Sequence, residues 1–491
     1  MTDIGRRTLR KLKRGRPVPI STTKGSCYMI HPPIEALLTT IKDRAAEAER
    51  GRHLPGDLVN LLRASGVFRL TVPAKYGGLQ APVQDLIDTI TAISAEDGAT
   101  GWVTNIAATT AITSASMPEE HAKKIWSDPS AVVCGVTAPT GRALNNGDGT
   151  LTVNGRWSWA SGSSFADWLA GGTIIDGSPE PRLVFFERSQ YEILDTWHAS
   201  GLRGTASNDF EVVDAVVPHC RSVGAADRPT TDAPLYAFPV LELLALGIAA
   251  VGLGIASRSI AELTVLADSK TPMGDSRSLA SRSAVQRAVA QANAGVRSAQ
   301  AYLADVVGMS WDDAVAGNRP NADARNELRL AATNAAQRSA DAVDLMYNAG
   351  GGSVVHNDNP LQRCFRDIHV VTQHLMVAQS TFEVIGRRFL GLDAGTAPSN
   401  DGGRRSHPSG NTGPTVADIA TTNATRRRDT TSASRRPASE DFSTTRAAIG
   451  LPSRTRSARP PLSSSATPSA TSQLASIIIN QRPTTDQPID G

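Results

Sequence analysis

The chain is 491 residues long, 40% hydrophobic and 20% charged, the texture of a soluble globular protein with a sizeable core and room for two to four domains. Its 50 basic and 47 acidic residues leave a net charge of +3, which excludes recognition of a polyanion by overall charge, so no nucleic-acid partner is expected. Four widely spaced cysteines, Cys27, Cys134, Cys220 and Cys364, form no C-x-x-C pair, which argues against a disulfide framework or a metal site and fits a cytoplasmic location.

Residues 1–30 read as a basic, disordered start, crowded by Arg6, Arg7, Arg10, Lys11, Lys13, Arg14 and Arg16 and lacking the apolar stretch and cleavage site of a secretory signal. Residues 31–130 read as a helical domain. Ile34-Glu-Ala-Leu-Leu and Asp57-Leu-Val-Asn-Leu-Leu-Arg-Ala-Ser-Gly66 space their apolar residues near 3.6, and the second ends on a glycine stop. Over residues 131–228 the texture changes to short β-branched or aromatic runs broken by Gly, Asn, Asp and Pro, such as Leu151-Thr-Val-Asn-Gly-Arg-Trp, Leu183-Val-Phe-Phe and Phe210-Glu-Val-Val-Asp-Ala-Val-Val-Pro218. That alternation predicts a compact β domain.

Residues 235–394 return to long Ala/Leu/Val-rich stretches, Ala284 to Val307 and Ala322 to Met346 among them, with lengths that suit an antiparallel bundle. The apolar run Val240 to Ala256 contains Glu242 and falls short of the roughly 20 residues a spanning helix needs, so no membrane association is expected. Residues 395–491 are rich in Ser, Thr, Arg and Pro, with Arg426, Arg427 and Arg428 in a row and Phe442 as the lone aromatic. Such a tail cannot bury enough apolar surface to order itself, and Ile477-Ile-Ile479 is its one short apolar run that could dock elsewhere.

Specific residues now meet this α, β, α order. Val72-Pro-Ala-Lys-Tyr-Gly-Gly78, Trp157-Ser-Trp-Ala-Ser-Gly162, Gly201-Leu-Arg-Gly-Thr-Ala-Ser-Asn208 and Arg363-Cys-Phe-Arg-Asp367 stand in the order found in the acyl-CoA dehydrogenase superfamily, which the chain resembles from about Pro33 to Ala394. Within it, Ala99-Thr-Gly-Trp-Val103, the Trp-x-Trp-x-Ser-Gly run, and Arg366-Asp367 followed by His369 and His374 are most similar to the two-component (group D) flavin monooxygenases of that fold. These act on aromatics such as steroid phenols, p-hydroxyphenylacetate or dibenzothiophene. The resemblance implies an α+β fold with an N-terminal helical domain, a middle β-barrel-like domain, a C-terminal four-helix bundle and a disordered C-terminal tail, assembled as a homotetramer. It also implies reduced FMN or FAD delivered by a separate flavin reductase, and a small-molecule substrate.

Dehydrogenases of the superfamily carry a glutamate about nine residues after the Arg-Asp arginine; here that position is Leu375, with His374 just before it. A leucine moves no proton, whereas an imidazole with a reference pKa of about 6.5 accepts one from a phenol or donates one to bound oxygen, so His374 is the expected acid/base group. His369, about 140° away around a helix, is expected to be structural. The resemblance places the Ser161 hydroxyl near flavin N5, Trp159 over the ring, Thr137 at the pyrimidine carbonyls, Arg203 and Ser207 near the flavin or its phosphate, and Gly350 and Gly351 at an adenosine diphosphate. Taken without it, Trp157 and Trp159 are core aromatics, Ser161, Ser207 and Asn208 satisfy turns, and the glycines stop a helix.

Trp102 and Thr110 are the expected lining of the substrate pocket, on a helix where related hydroxylases carry a histidine and this chain carries Thr109, Thr110 and Thr113. Two other readings stay open. Glu242, in an apolar setting that would raise its pKa, is the base of a FAD-dependent acyl-CoA dehydrogenase, or the chain is a degenerate, non-enzymatic member of the superfamily.

Overall fold

The computed structural model describes residues 31–392 apart from residue 179. The basic stretch at 1–30 with Cys27, and the tail at 395–491 with Arg426 to Arg428, Phe442 and Ile477 to Ile479, lie outside the described residues.

Among the described residues six α-helices come first: α1 (Pro32–Glu35), α2 (Leu38–Gly51), α3 (Gly56–Ser65), α4 (Val83–Glu96), α5 (Gly98–Ala111) and α6 (Glu119–Trp126). Helix α3 buries Leu58, Val59 and Leu62 and stops where Gly66 takes φ +77°, the left-handed cap expected from the sequence. Helix α5 starts at Asp97, whose Oδ2 accepts from the Thr100 N–H at 2.8 Å and from the Thr100 hydroxyl at 2.7 Å. All fourteen residues of α5 are buried, so this helix runs through the interior with no solvent face.

Seven strands follow: β1 (Val133–Asn145), β2 (Thr150–Ala160), β3 (Trp168–Ile175), β4 (Pro181–Glu187), β5 (Glu192–Leu194), β6 (Asn208–Pro218) and β7 (Ser222–Gly224). They form one sheet in the order β5-β6-β2-β1-β3-β4-β7, antiparallel throughout except for β1 beside β3. Its edges are three-residue strands, and no pairing joins β5 to β7 among the described residues, so the sheet is open.

The remaining helices are α7 (Val240–Ser269), α8 (Ser283–Val315), α9 (Ala322–Gly350), α10 (Pro360–Val371) and α11 (Ser380–Phe389). Helix α7 corrects the length estimate made from its apolar run. At 30 residues with a mean hydropathy of 2.1 over its most apolar window, it meets the length and composition of a membrane span, yet 83% of that window is buried inside the protein. It is the central helix of the core, packed by α4, α5, α9 and α10. A single apolar core runs from Ile34 and Leu86 through Trp157 and Phe210 to Leu246, Val343 and Ile368, tying helices and sheet into one body.

Candidate active site

In a regular strand Trp157, Trp159 and Ser161 would point to one face. A bulge between the pairs Trp157–Phe210 and Ala160–Asn208 breaks that alternation, and Trp159 takes φ +67°. Trp157 stays in the core, stacked on Phe210 at 4.7 Å with its Nε1 donating to Gly172 O. Trp159 is turned out, 73% exposed, and Ser161 is turned in. A left-handed tryptophan with a bare ring is an unfavourable arrangement that persists at sites with a ligand to hold.

Across from it β1 carries a second irregularity. Its register against β3 jumps between Val136 and Gly141, so Thr137 to Thr140 form an exposed arch. A side chain at Gly172 would strike the carbonyls of Thr137 and Ala138, so the glycine lets the arch lie close on β3. The Thr140 hydroxyl is used on Arg156 O, whereas that of Thr137 has no partner among the described residues.

Ser161 belongs to a chain of hydroxyls. Trp102 Nε1 donates to Ser161 Oγ at 2.9 Å; Ser161 Oγ and Ser207 Oγ are 2.7 Å apart, Ser207 Oγ and Thr205 Oγ1 2.7 Å, and Thr205 Oγ1 lies 2.8 Å from Leu202 O. Each hydroxyl has one proton, so the chain has two directions. In one, all three protons run toward Leu202 O. In the other they run toward Ser161, which then accepts twice and turns its own proton outward. Leu202 O also accepts from Trp197 Nε1 and Thr205 N, each at 3.1 Å, and is satisfied either way.

Helix α5 aims Trp102 into this cluster, and the next turns of the helix sort the three threonines. Thr109 donates to Asn105 O and Thr113 to Thr110 O, so both hydroxyls are spent on the helix itself. The Thr110 hydroxyl makes no hydrogen bond among the described residues, and its methyl lies against Gly135 of β1. Asn105, fully buried one turn beyond Trp102, leaves both side-chain polar atoms without a partner.

His374 completes the group. Its ring meets Trp102 edge to face, centroids 5.7 Å apart, and its Nδ1 accepts from the Met376 N–H at 3.2 Å. The neutral ring therefore carries its proton on Nε2. Burial first, and then the positive charge of Arg329 on α9, lower its pKa to about 4. The geometry favours the donating half of the acid/base role expected for His374.

Glu242, buried at the start of α7, pairs with Arg325 at 3.3 Å through Oε1 and leaves Oε2 unpartnered. As a candidate base it is held by an arginine, so the oxygen that faces Arg325 is already engaged. Arg329, one turn after Arg325, is the residue that sequence reasoning missed. No local pattern announces a cation whose surroundings come from three separate segments.

The Arg363 to Asp367 segment, which carries the family likeness, holds the loop ahead of β6. Asp367 Oδ1 accepts from Leu202 N at 2.6 Å, Arg366 donates to Ser200 O at 2.5 Å and to Glu49 at 2.6 Å, and a side chain at Gly201 would strike Arg366 O. Helix α10 thus braces the loop that ends in the hydroxyl chain. Arg203 leans the same way, its Nε 3.3 Å from Glu49 O. Asn208 Oδ1 accepts from Thr196 N and Trp197 N, the turn-satisfying reading.

Gly350 and Gly351 end α9. Lys270 donates to Gly350 O at 2.7 Å, and Gly351 takes φ +61°. His369 sits apart from His374, bonded to Asp344 at 3.0 Å with its ring against Phe365, which stacks on Tyr347.

Residues 246–379 match the family model for the acyl-CoA dehydrogenase C-terminal domain. The chain is 33% identical over 365 residues to an indole-3-acetate monooxygenase of Pseudomonas putida, covering 73% of this chain and 94% of the relative. It is 28% identical to the oxygenase component of an FADH2-dependent resorcinol hydroxylase of a Rhizobium species, covering 72% and 91%. The crystal structure of 3-HSA hydroxylase from Rhodococcus sp. RHA1 superposes with a TM-score of 0.70 at 27% identity, over 74% of this chain and 97% of that one. The chain belongs to the flavin-dependent monooxygenases built on the acyl-CoA dehydrogenase fold. It is a flavin-dependent oxidoreductase.

An isoalloxazine needs a flat apolar cover and a few placed donors, and the residues present fit it. Trp159 offers a bare indole, Ser161 a buried hydroxyl whose proton can be turned outward, and the Thr137 arch a free hydroxyl on exposed backbone. The bound flavin would supply the oxygen chemistry.

Proposed function

We propose that this protein is the oxygenase component of a two-component system, taking reduced FAD or FMN from a separate reductase in the cytoplasm and hydroxylating a small aromatic molecule. The observation that carries this reading is the line Ser161, Trp102, His374. It joins a hydroxyl for the flavin, an aromatic wall and a neutral imidazole donor, with Leu375 where a dehydrogenase would need its glutamate.

Each group has a task. Ser161 donates toward N5 when Thr205 and Ser207 turn their protons its way, Trp102 and the Thr110 hydroxyl line the aromatic's pocket, and Nε2–H of His374 supports charge developing on oxygen. The buried position of Ser161 keeps its hydroxyl out of bulk water. Relatives that oxidise indole-3-acetate and resorcinol support an aromatic substrate, and the name of the second supports FADH2 with a separate reducing component. The homotetramer is part of the same reading. Gly350 and Gly351 would then meet a neighbouring subunit's cofactor if FAD is the flavin used.

The test supplies chemically or enzymatically reduced FAD and FMN to the purified protein with oxygen and a panel of indoles and phenols. The product is expected to carry one atom of labelled oxygen, and acyl-CoA thioesters are expected to leave bound oxidised flavin unreduced. Bleaching by an acyl-CoA that depends on Glu242 would instead establish the dehydrogenase reading.

A further inference from the structure

Helix α9 carries a cation, Arg329, that makes no ion pair among the described residues and feels the Glu242 carboxylate only at longer range. On α9, Arg325 and Arg329 stand one turn apart and so share a face. The buried carboxylate of Glu242 pairs with Arg325, and its second oxygen is left without a partner. Arg329 has no ion pair and no side-chain hydrogen bond among the described residues, and its Nε is fully enclosed and unpartnered. An arginine is always charged, so unlike a lysine it cannot escape this setting by losing its proton. A guanidinium in such a place is retained where a ligand brings the counter-charge.

Its neighbours show which ligand. Helix α9, which carries Arg329, packs on the turn Leu375–Val377 that follows His374, the His374 ring touches Trp102, and Trp102 holds Ser161. Arg329 therefore stands on the His374 side of the line, away from the Ser161 donor. A planar fork of N–H donors matches a carboxylate, which accepts two parallel hydrogen bonds from it.

We propose that Arg329 anchors the carboxylate of an aromatic acid, so that the molecule hydroxylated is an anion rather than a neutral phenol or a polycyclic hydrocarbon. This rests on the monooxygenase reading above and adds to it the charge of the substrate and the residue that selects it. Glu242 acts against the anion, because it competes for the same arginine.

The experiment measures anaerobic binding to the full-length protein loaded with reduced flavin, by quenching of tryptophan fluorescence. The probes are two matched pairs: indole-3-acetate with indole-3-acetamide, and 4-hydroxyphenylacetate with its amide. The wild type is expected to bind each acid about tenfold or more tightly than its amide. Arg329→Gln is expected to lose that preference while holding the amide within about twofold, and Arg329→Lys to keep part of it. Glu242→Gln is expected to increase the preference, and it carries the test with the arginine in place if Arg329→Gln does not fold.

Binding of acid and amide alike by the wild type, or an unchanged preference in either Gln variant, overturns the proposal and leaves the monooxygenase reading standing. Failure of all four probes to bind while flavin binds overturns both. Weaker binding of reduced flavin by Arg329→Gln without any aromatic present assigns the arginine to the cofactor and overturns the substrate assignment.

Discussion

At the scale of the single residue, His374 shows how a hydrogen bond decides a chemical role. A base must present a lone pair to the proton it takes. Here the Nδ1 lone pair is occupied by the Met376 N–H, the other nitrogen bears the proton, and a pKa lowered to about 4 keeps the ring neutral at neutral pH. The expected result is that product formed per reduced flavin consumed stays flat from about pH 5.5 to 8, with no step near the ordinary imidazole value. His374→Ala is expected to lower that ratio about tenfold, the worth of one hydrogen bond of about 1–1.5 kcal/mol, and His374→Gln, which retains an N–H donor, to recover part of it. A step near pH 6.5 that vanishes in His374→Ala would return the residue to the part of a base.

At the scale of the element, the loop from Ser200 to Ser207 is set by helix α10 and not by its own sequence. Its backbone rests on Arg366 O so closely that only a glycine fits at position 201, while Asp367 and Arg366 hold it from the same helix. Gly201→Ala is therefore expected to cost on the order of 2–4 kcal/mol in urea unfolding, and to speed hydrogen exchange at the amides of residues 200–207 before other parts of the protein respond.

Legibility follows the same division. The helices of residues 31–126 and 240–389 show in their apolar spacing, and Gly66 as a stop, because those signals are local. The opposite fates of Trp157 and Trp159 do not show, because a bulge leaves no period in the sequence. Likewise Arg363 to Asp367 carries the family likeness plainly while hiding its use as a brace, since its partners Glu49, Ser200 and Leu202 come from other segments. Arg329 gives no signal at all, since what distinguishes it is a missing partner in three dimensions.

At the scale of the whole molecule, a buried carboxyl and a half-buried imidazole near the site make folding depend on pH in opposite senses. Burial pushes the Asp367 carboxyl up from 3.8 to about 7, with the nearby charges of Glu49 and Asp97 opposing the help of Leu202 N–H and Arg363. Between those values the folded chain keeps a proton that the unfolded chain has released, so this group makes stability fall as pH rises from about 4 to 7. His374 moves from 6.5 down to about 4. In that window the unfolded chain takes up a proton that the folded one refuses, so this group makes stability rise with pH.

The two slopes overlap and offset each other in the native protein. Single variants separate them. Asp367→Asn keeps an acceptor for Leu202 N and removes the falling component, and His374→Gln removes the rising one. Unfolding free energies measured by urea at a series of pH values and subtracted from those of the parent are expected to give difference curves of opposite slope, each at most about 1.4 kcal/mol per pH unit. A flat curve for Asp367→Asn would mean that this carboxyl ionises as freely as an exposed one, and that the loop is held by a charge rather than by a shared proton.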